Sequence, residues 1–280
     1  MRIHSVLLLA FVFGVAGSAA ALADTTVTIT TNGVDCKVPP PEEVATPATP
    51  SVPAGTAAEK NHNYALARAN FRALADGGDP EGERLYGLLL MQKCTGIQDK
   101  DAAVIWLTKA VDGGNAVAQV NLGDAYMNGE GVAQDDNKAF ALLSKAAAGG
   151  LPAAQISLGY LYFTGRGVPA DPYQGMVWTV KAAEQGMPAA LFNISHGYFK
   201  GQGLPQDTEK AAYFMEAAMQ RSTIVQRNRF AENINSVSRA SSTDDLRRAA
   251  ERARRWSPGP GSLSDVLDDA NRARARSAKN

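Results

Sequence analysis

Soft metal ligands are scarce in this chain. Three His and two Cys occur in 280 residues, and His4 falls in an apolar leading segment, which leaves Cys36, Cys94, His62 and His196. That supply excludes a zinc finger, an iron–sulfur protein and c-type haem attachment. An excess of one charge is lacking as well. Lys plus Arg number 28 against 28 Asp plus Glu, so no overall basic charge points to nucleic acid. No later stretch approaches the roughly 20 apolar residues of a membrane helix. Catalytic signatures are missing too: the chain has no Ser-x-x-Lys, no His-Glu-x-x-His and no Gly-x-Ser-x-Gly. No cofactor, resident metal or catalytic residue is expected.

What is present is an ordinary globular composition, 45% hydrophobic and 20% charged, with an uneven distribution of charge. Residues 24–220 carry 14 Lys/Arg and 21 Asp/Glu, a balance of −7, while residues 221–280 carry 13 and 7, a balance of +6. An acidic body with a basic end suggests intramolecular attraction, two different partner surfaces, or plain surface decoration. At the front, Arg2 precedes the apolar run Val6 to Val15, and Ala21-Leu22-Ala23 fits a signal-peptidase site. The expectation is a signal peptide over 1–23, cleavage between Ala23 and Asp24, and a periplasmic or secreted mature chain. Alternation through Val27, Ile29, Thr31 and then Val34, Cys36, Val38 around Asn32-Gly33 reads as a β-hairpin. Six prolines from Pro39 to Pro53 follow, so 24–58 reads as a hairpin plus an extended linker. Export puts Cys36 and Cys94 in an oxidising compartment. They pair to close a 58-residue loop, worth up to about 4 kcal/mol, or bridge between molecules, or stay free.

A step of 36 residues dominates the rest. Gly78, Gly114, Gly150 and Gly186 keep it, as do Tyr126, Tyr162 and Tyr198. So do the pairs Gly129-x-Gly131, Gly165-x-Gly167 and Gly201-x-Gly203, and the series Asp99, Asp135, Asp171, Asp207. Within a unit, Ala118, Leu122 and Tyr126 share one face of a helix that Gly129 ends. Asp135 caps a second helix with Ala139, Leu142, Leu143 and Ala146 inward. A helical hairpin of this kind cannot bury its stripe alone, so its copies must stack into a superhelix.

The pattern Leu-Gly-x-x-Tyr-x-x-Gly-x-Gly-Val-x-x-Asp, fullest at Leu158, Gly159, Tyr162, Gly165, Gly167, Val168 and Asp171, resembles the Sel1-like repeat, a relative of the tetratricopeptide repeat. The resemblance covers roughly residues 62–220. It implies an all-α superhelical solenoid over 59–220 and a function as an adaptor. A degenerate capping repeat is expected over 221–256, with Leu246, Ala249, Ala250 and Ala253 on one helix face, and a charged tail over 257–280. Cysteine-rich relatives linked to β-lactams carry a Cys pair in nearly every repeat, which this chain does not.

The expected function is a non-catalytic protein–protein interaction scaffold of the bacterial periplasm, its partner a protein or peptide. The alternative is a binder or modulator of peptidoglycan or its enzymes, with cell-wall association. Positions off the packing stripe of the first helices make the candidate groove. They are Val120, Asp124 and Met127 in one unit, Ile156, Tyr160 and Phe163 in the next, and Phe192, His196 and Phe199 in the third. Each set is spaced i, i+4, i+7. Such apolar side chains suit capture of a peptide, or they pack between neighbouring helices.

Overall fold

A computed structural model describes residues 27–31, 34–38, 47, 49–92 and 98–277, the first two segments by their backbone. The leading segment 1–23, the Asn32-Gly33 turn, most of the proline-rich stretch and Cys94 lie outside the described residues, and the proposed Cys36–Cys94 pairing with them. Strands β1 (Val27–Thr31) and β2 (Val34–Val38) pair antiparallel, with Ile29 opposite Cys36.

Four helical hairpins follow the 36-residue step: α3 (Pro80–Met91) with α4 (Lys100–Asp112), α5 (Ala116–Asn128) with α6 (Asp136–Ala148), α7 (Pro152–Thr164) with α8 (Pro172–Glu184), and α9 (Pro188–Lys200) with α10 (Thr208–Arg221). Asp99, Asp135, Asp171 and Asp207 cap the second helices, their carboxylates accepting from Ala102, Lys138, Gln174 and Lys210 N–H at 2.9, 3.0, 3.1 and 2.9 Å. The same aspartates donate their own N–H to the carbonyls of Leu90, Tyr126, Tyr162 and Tyr198. Each Asp therefore satisfies groups at the end of one helix and the start of the next.

The paired glycines do two jobs. Gly129, Gly165 and Gly201 close the first helices in the left-handed region, with φ of 68, 70 and 70°. The second glycine touches the preceding repeat. A Cβ on Gly167 would lie 2.1 Å from the Asp136 carbonyl oxygen, and one on Gly131 equally close to that of Lys100. Only Gly permits both the dihedral and the approach. Within hairpins, Gly123 lets α5 close on Leu143 of α6, where a Cβ would come within 2.8 Å of the leucine.

Helix α1 (Val52–Lys60) and helix α2 (Tyr64–Asp76) add a pair before the first full repeat. Residues 52–58, read from sequence as extended linker, are helical. Ser51 caps α1 by accepting from Ala54 N–H, and Pro53 sits in the first turn, where its missing N–H costs nothing. Phe71 of α2 is fully buried and its ring lies directly against Gly55. At the far end the expected capping repeat over 221–256 begins with two short helices that meet at Phe230, α11 (Ile224–Arg229) and α12 (Ala231–Ala240). Helix α13 (Thr243–Arg255) then pairs with α10.

The charged tail is not an appendage. Helix α14 (Ser264–Ser277) runs back along α8, antiparallel to it, with Leu263 N–H on Glu184 at one end and Arg274 3.7 Å from Asp171 at the other. Leu263, Val266 and Ala270 enter the core shared by α8, α9 and α10. Buried Asp269 accepts from Tyr198 Oη at 2.7 Å and from Lys210 and Arg272. Burial alone would raise this carboxyl; the hydrogen bonds from Lys210, Tyr198 and Arg272 outweigh it and hold it at about 2.

Candidate functional site

The first helices meet directly, α3 on α5 and α5 on α7, and their side of the stack is its inner side. On that side a half-open cavity of about 430 Å³ lies between α3, α5 and the start of α7. Leu88 and Met91 of α3, Val117 and Val120 of α5, Leu151 before α7 and Met187 before α9 make it predominantly apolar. Val117 stands 43% exposed at this site, well above most residues of its size and type.

The polar part of the wall comes from α5. Asn121 and Asp124 stand three residues apart, hence on one side of the helix. Ser157 Oγ donates to Asp124 Oδ1 at 3.2 Å, and Asn121 Oδ1 is buried without a hydrogen-bond partner. Desolvation pushes the Asp124 carboxyl up to about 7; the Ser157 bond opposes this and the Glu130 charge adds to it. Among the described residues, two other charged side chains line the space, each already engaged. Arg84 is forked onto Glu81, with Nε 2.8 Å from Oε2, and Glu130 lies 3.7 Å from Lys100 Nζ. Hydrogen bonding from Arg84 is also what holds Glu81 below the usual carboxylate range.

Only Val120 and Asp124 of the nine candidate groove positions line this cavity. Met127 is buried with Val120 among Leu143, Leu158 and Leu161, and its carbonyl accepts from Arg166. Ile156 is buried against the next repeat, and Tyr160 is half-buried on the neighbouring cluster. Phe163 lies over Gly175 and Gly203, where added Cβ atoms would meet its ring at 2.9 and 3.2 Å. Phe192 is fully buried and stacks on Phe230, ring centroids 4.3 Å apart. Phe199 is half-buried against the same core, with Lys200 Nζ 5.2 Å from its ring centroid. His196 is half-buried, and burial with the Lys200 charge lowers its pKa. The nine therefore do not form one continuous wet face; most are packing.

Leu88, Met91 and Arg84 were missed although one step of 36 back from Asp124, Met127 and Val120 reaches them. Asn121, Leu151 and Met187 had no such signal, because their role depends on how α5, α7 and α9 fan around the space. Chemically the site offers acceptors and apolar walls. Ser157, the partner of Asp124, is buried, and among the described residues no imidazole lines the cavity and no nucleophile–base pair faces its opening. Among the described residues, no group of three or more His, Cys, Asp or Glu could hold a metal ion, and no helix is long and apolar enough to cross a membrane.

The Sel1 repeat family matches residues 84–115, 116–151, 152–187 and 188–221, which are the four hairpins α3/α4 to α9/α10. Among solved structures, the chain is similar to c5321 of uropathogenic Escherichia coli, described as a protective antigen displaying an SLR fold, with 29% identity and a TM-score of 0.58. The similarity covers 76% of this chain and 43% of that one. A Sel1 repeat protein from Oxalobacter formigenes is 24% identical with a TM-score of 0.49, over 67% of this chain and 59% of that one. The chain thus spans less than two thirds of either. No curated protein matches. The molecule is a solenoid carrying four Sel1 repeats, an architecture typical of protein–protein interaction.

Proposed function

We propose that this Sel1-repeat protein is a non-catalytic scaffold that holds a segment of a partner protein in the cavity between α3, α5 and α7, and that it works in the periplasm after cleavage between Ala23 and Asp24. The observation that carries the reading is the open apolar cavity on the inner face, with Leu88, Met91 and Val117 available to a partner while the corresponding face of α9 is stacked over. Apolar anchors in such a concavity supply most of the binding energy of a peptide. Export rests on Arg2, the Val6 to Val15 run and Ala21-Leu22-Ala23.

The test is a photo-crosslinking amino acid placed at Leu88 in the cavity or at Ile105, which is 59% exposed on α4. A discrete adduct with one partner protein from Leu88 but not from Ile105 is expected in the native envelope. Equal adducts at both positions, no adduct at either, or capture of soluble muropeptide alone at Leu88 overturns it. The mature N-terminus should be Asp24, and recovery of a chain beginning at Met1 would refute export.

A further inference from the structure

Resting on that reading, the geometry points to a cationic anchor. The cavity takes a lysine or arginine side chain of the partner polypeptide, with its nitrogen on Asp124 and Asn121 and its neighbouring apolar residues on Leu88, Met91 and Val120.

Three observations converge. First, the polar groups that α5 brings to the cavity are acceptors in want of a donor. Asn121 Oδ1 is buried and has no partner, and the Asp124 carboxylate receives one bond, from Ser157, where it can accept several. A buried acceptor without a donor costs free energy that a ligand N–H would recover. An ammonium or guanidinium is donor-only, and so matches this pair better than any neutral group.

Second, the charges on the wall favour a cation. Among the described residues, Arg84 is the cation on the wall, and it is turned to Glu81; Asp124 and Glu130 are the carboxylates, and Lys100 reaches Glu130 across 3.7 Å. The balance is acidic once Asp124 ionises. Desolvation keeps that carboxyl at about 7 in the free protein, and an incoming cation lowers it and releases a proton. Binding therefore tightens as pH rises through 7.

Third, the dimensions suit a side chain rather than a folded domain. About 430 Å³ lies at the small end of the range of ligand sites, and the apolar walls at Leu88, Met91 and Val120 flank the acceptors. Long cationic side chains lay their methylenes along such walls while the head stays polar.

The experiment titrates the ¹⁵N-labelled protein with acetyl-Leu-Lys-Leu-amide, acetyl-Leu-Arg-Leu-amide and acetyl-Leu-norleucine-Leu-amide. The two cationic peptides should shift the amides of Leu88, Val120, Asn121 and Asp124 and bind at least about tenfold tighter than the norleucine peptide. Asp124→Asn should bring them down to the norleucine level while the spectrum stays that of a folded protein. Asn121→Leu, which removes the other acceptor, should weaken them in the same direction. Equal binding of the norleucine peptide, indifference to Asp124→Asn, shifts confined to other surfaces, or no shifts at about 1 mM peptide would overturn the cationic anchor. These failures are separable from failure of the scaffold. A partner crosslinked at Leu88 through a stretch without Lys or Arg sinks the anchor and keeps the scaffold, whereas the loss of any Leu88 adduct sinks the scaffold itself.

Discussion

The two ends of one inner surface have opposite fates. At α3 and α5 it is open, apolar and faintly acidic, with Asp124 and Asn121 under-supplied with donors. At α9, Phe192 occupies the position equivalent to Val120 and lies under Phe230, while α12 packs along the same helix. On the outer side α14 closes the same region by running back over α8 and tying Asp269 to Tyr198 and Lys210. The repeat unit is nearly the same at both ends. What differs is the chain that follows: α12, α13 and α14 turn back over α8, α9 and α10 and seal that face. A solenoid must cap its last apolar face, and here the cap consumes binding surface.

The contrast predicts unequal responses to truncation. Phe192→Ala in the sealed region should cost about 3–5 kcal/mol in denaturant unfolding, since a fully buried ring leaves a cavity. A loss near that of a surface change would mean that Phe230 does not seal the face. Asp269→Ala should cost about 2–3 kcal/mol, because Tyr198 Oη and Lys210 lose a charged acceptor. The pH dependence follows from its depressed carboxyl. The stabilisation is present above the ordinary aspartate range, near pH 4, and is lost as pH falls towards about 2. Asp269→Asn should flatten that part of the stability profile, and an unchanged acid limb would contradict the clamp.

At the open end the sign reverses. The folded carboxyl of Asp124 is raised, so the native state binds that proton more tightly than the unfolded chain does. Stability then declines as pH climbs from about 4 through 7 and levels off above it. Asp124→Asn should stabilise the free protein by about 1–3 kcal/mol at pH 8 and by little at pH 4. A destabilised variant at pH 8 would mean that the carboxylate is already paired. Smallest of all, Leu88→Ala should shift stability by about 1 kcal/mol or less, because the half-buried side chain faces open space, yet it should weaken peptide binding.

The repeat itself was legible because period, cap and turn chemistry agree, with the Asp cap in all four copies and the Gly-x-Gly turn in three. Asp135, Gly129 and Gly123 each do locally what their residue type suggests. The ends were not, because they leave the period. Ser51 and Pro53 start α1 inside a stretch whose other prolines argue for extension. The α14 segment reads from its residues only as a charged tail, and nothing local announces that Asp269 meets Tyr198, 71 residues earlier. The inner face was half legible for the same reason. A helix period marks which positions lie off the core stripe, and so finds Val120 and Asp124. Whether such a position stays open, as at Asp124, or is stacked over, as at Phe192, depends on a neighbour that no spacing reveals.

The measurement closest to the central claim is the carbon titration of the Asp124 carboxyl by NMR in the free protein. An open but desolvated acceptor site predicts a midpoint of about 7, moving higher in Ser157→Ala, which removes the hydrogen bond that favours the carboxylate. A midpoint in the ordinary aspartate range near 4, unmoved by Ser157→Ala, would show a solvated or already satisfied carboxylate and contradict the account.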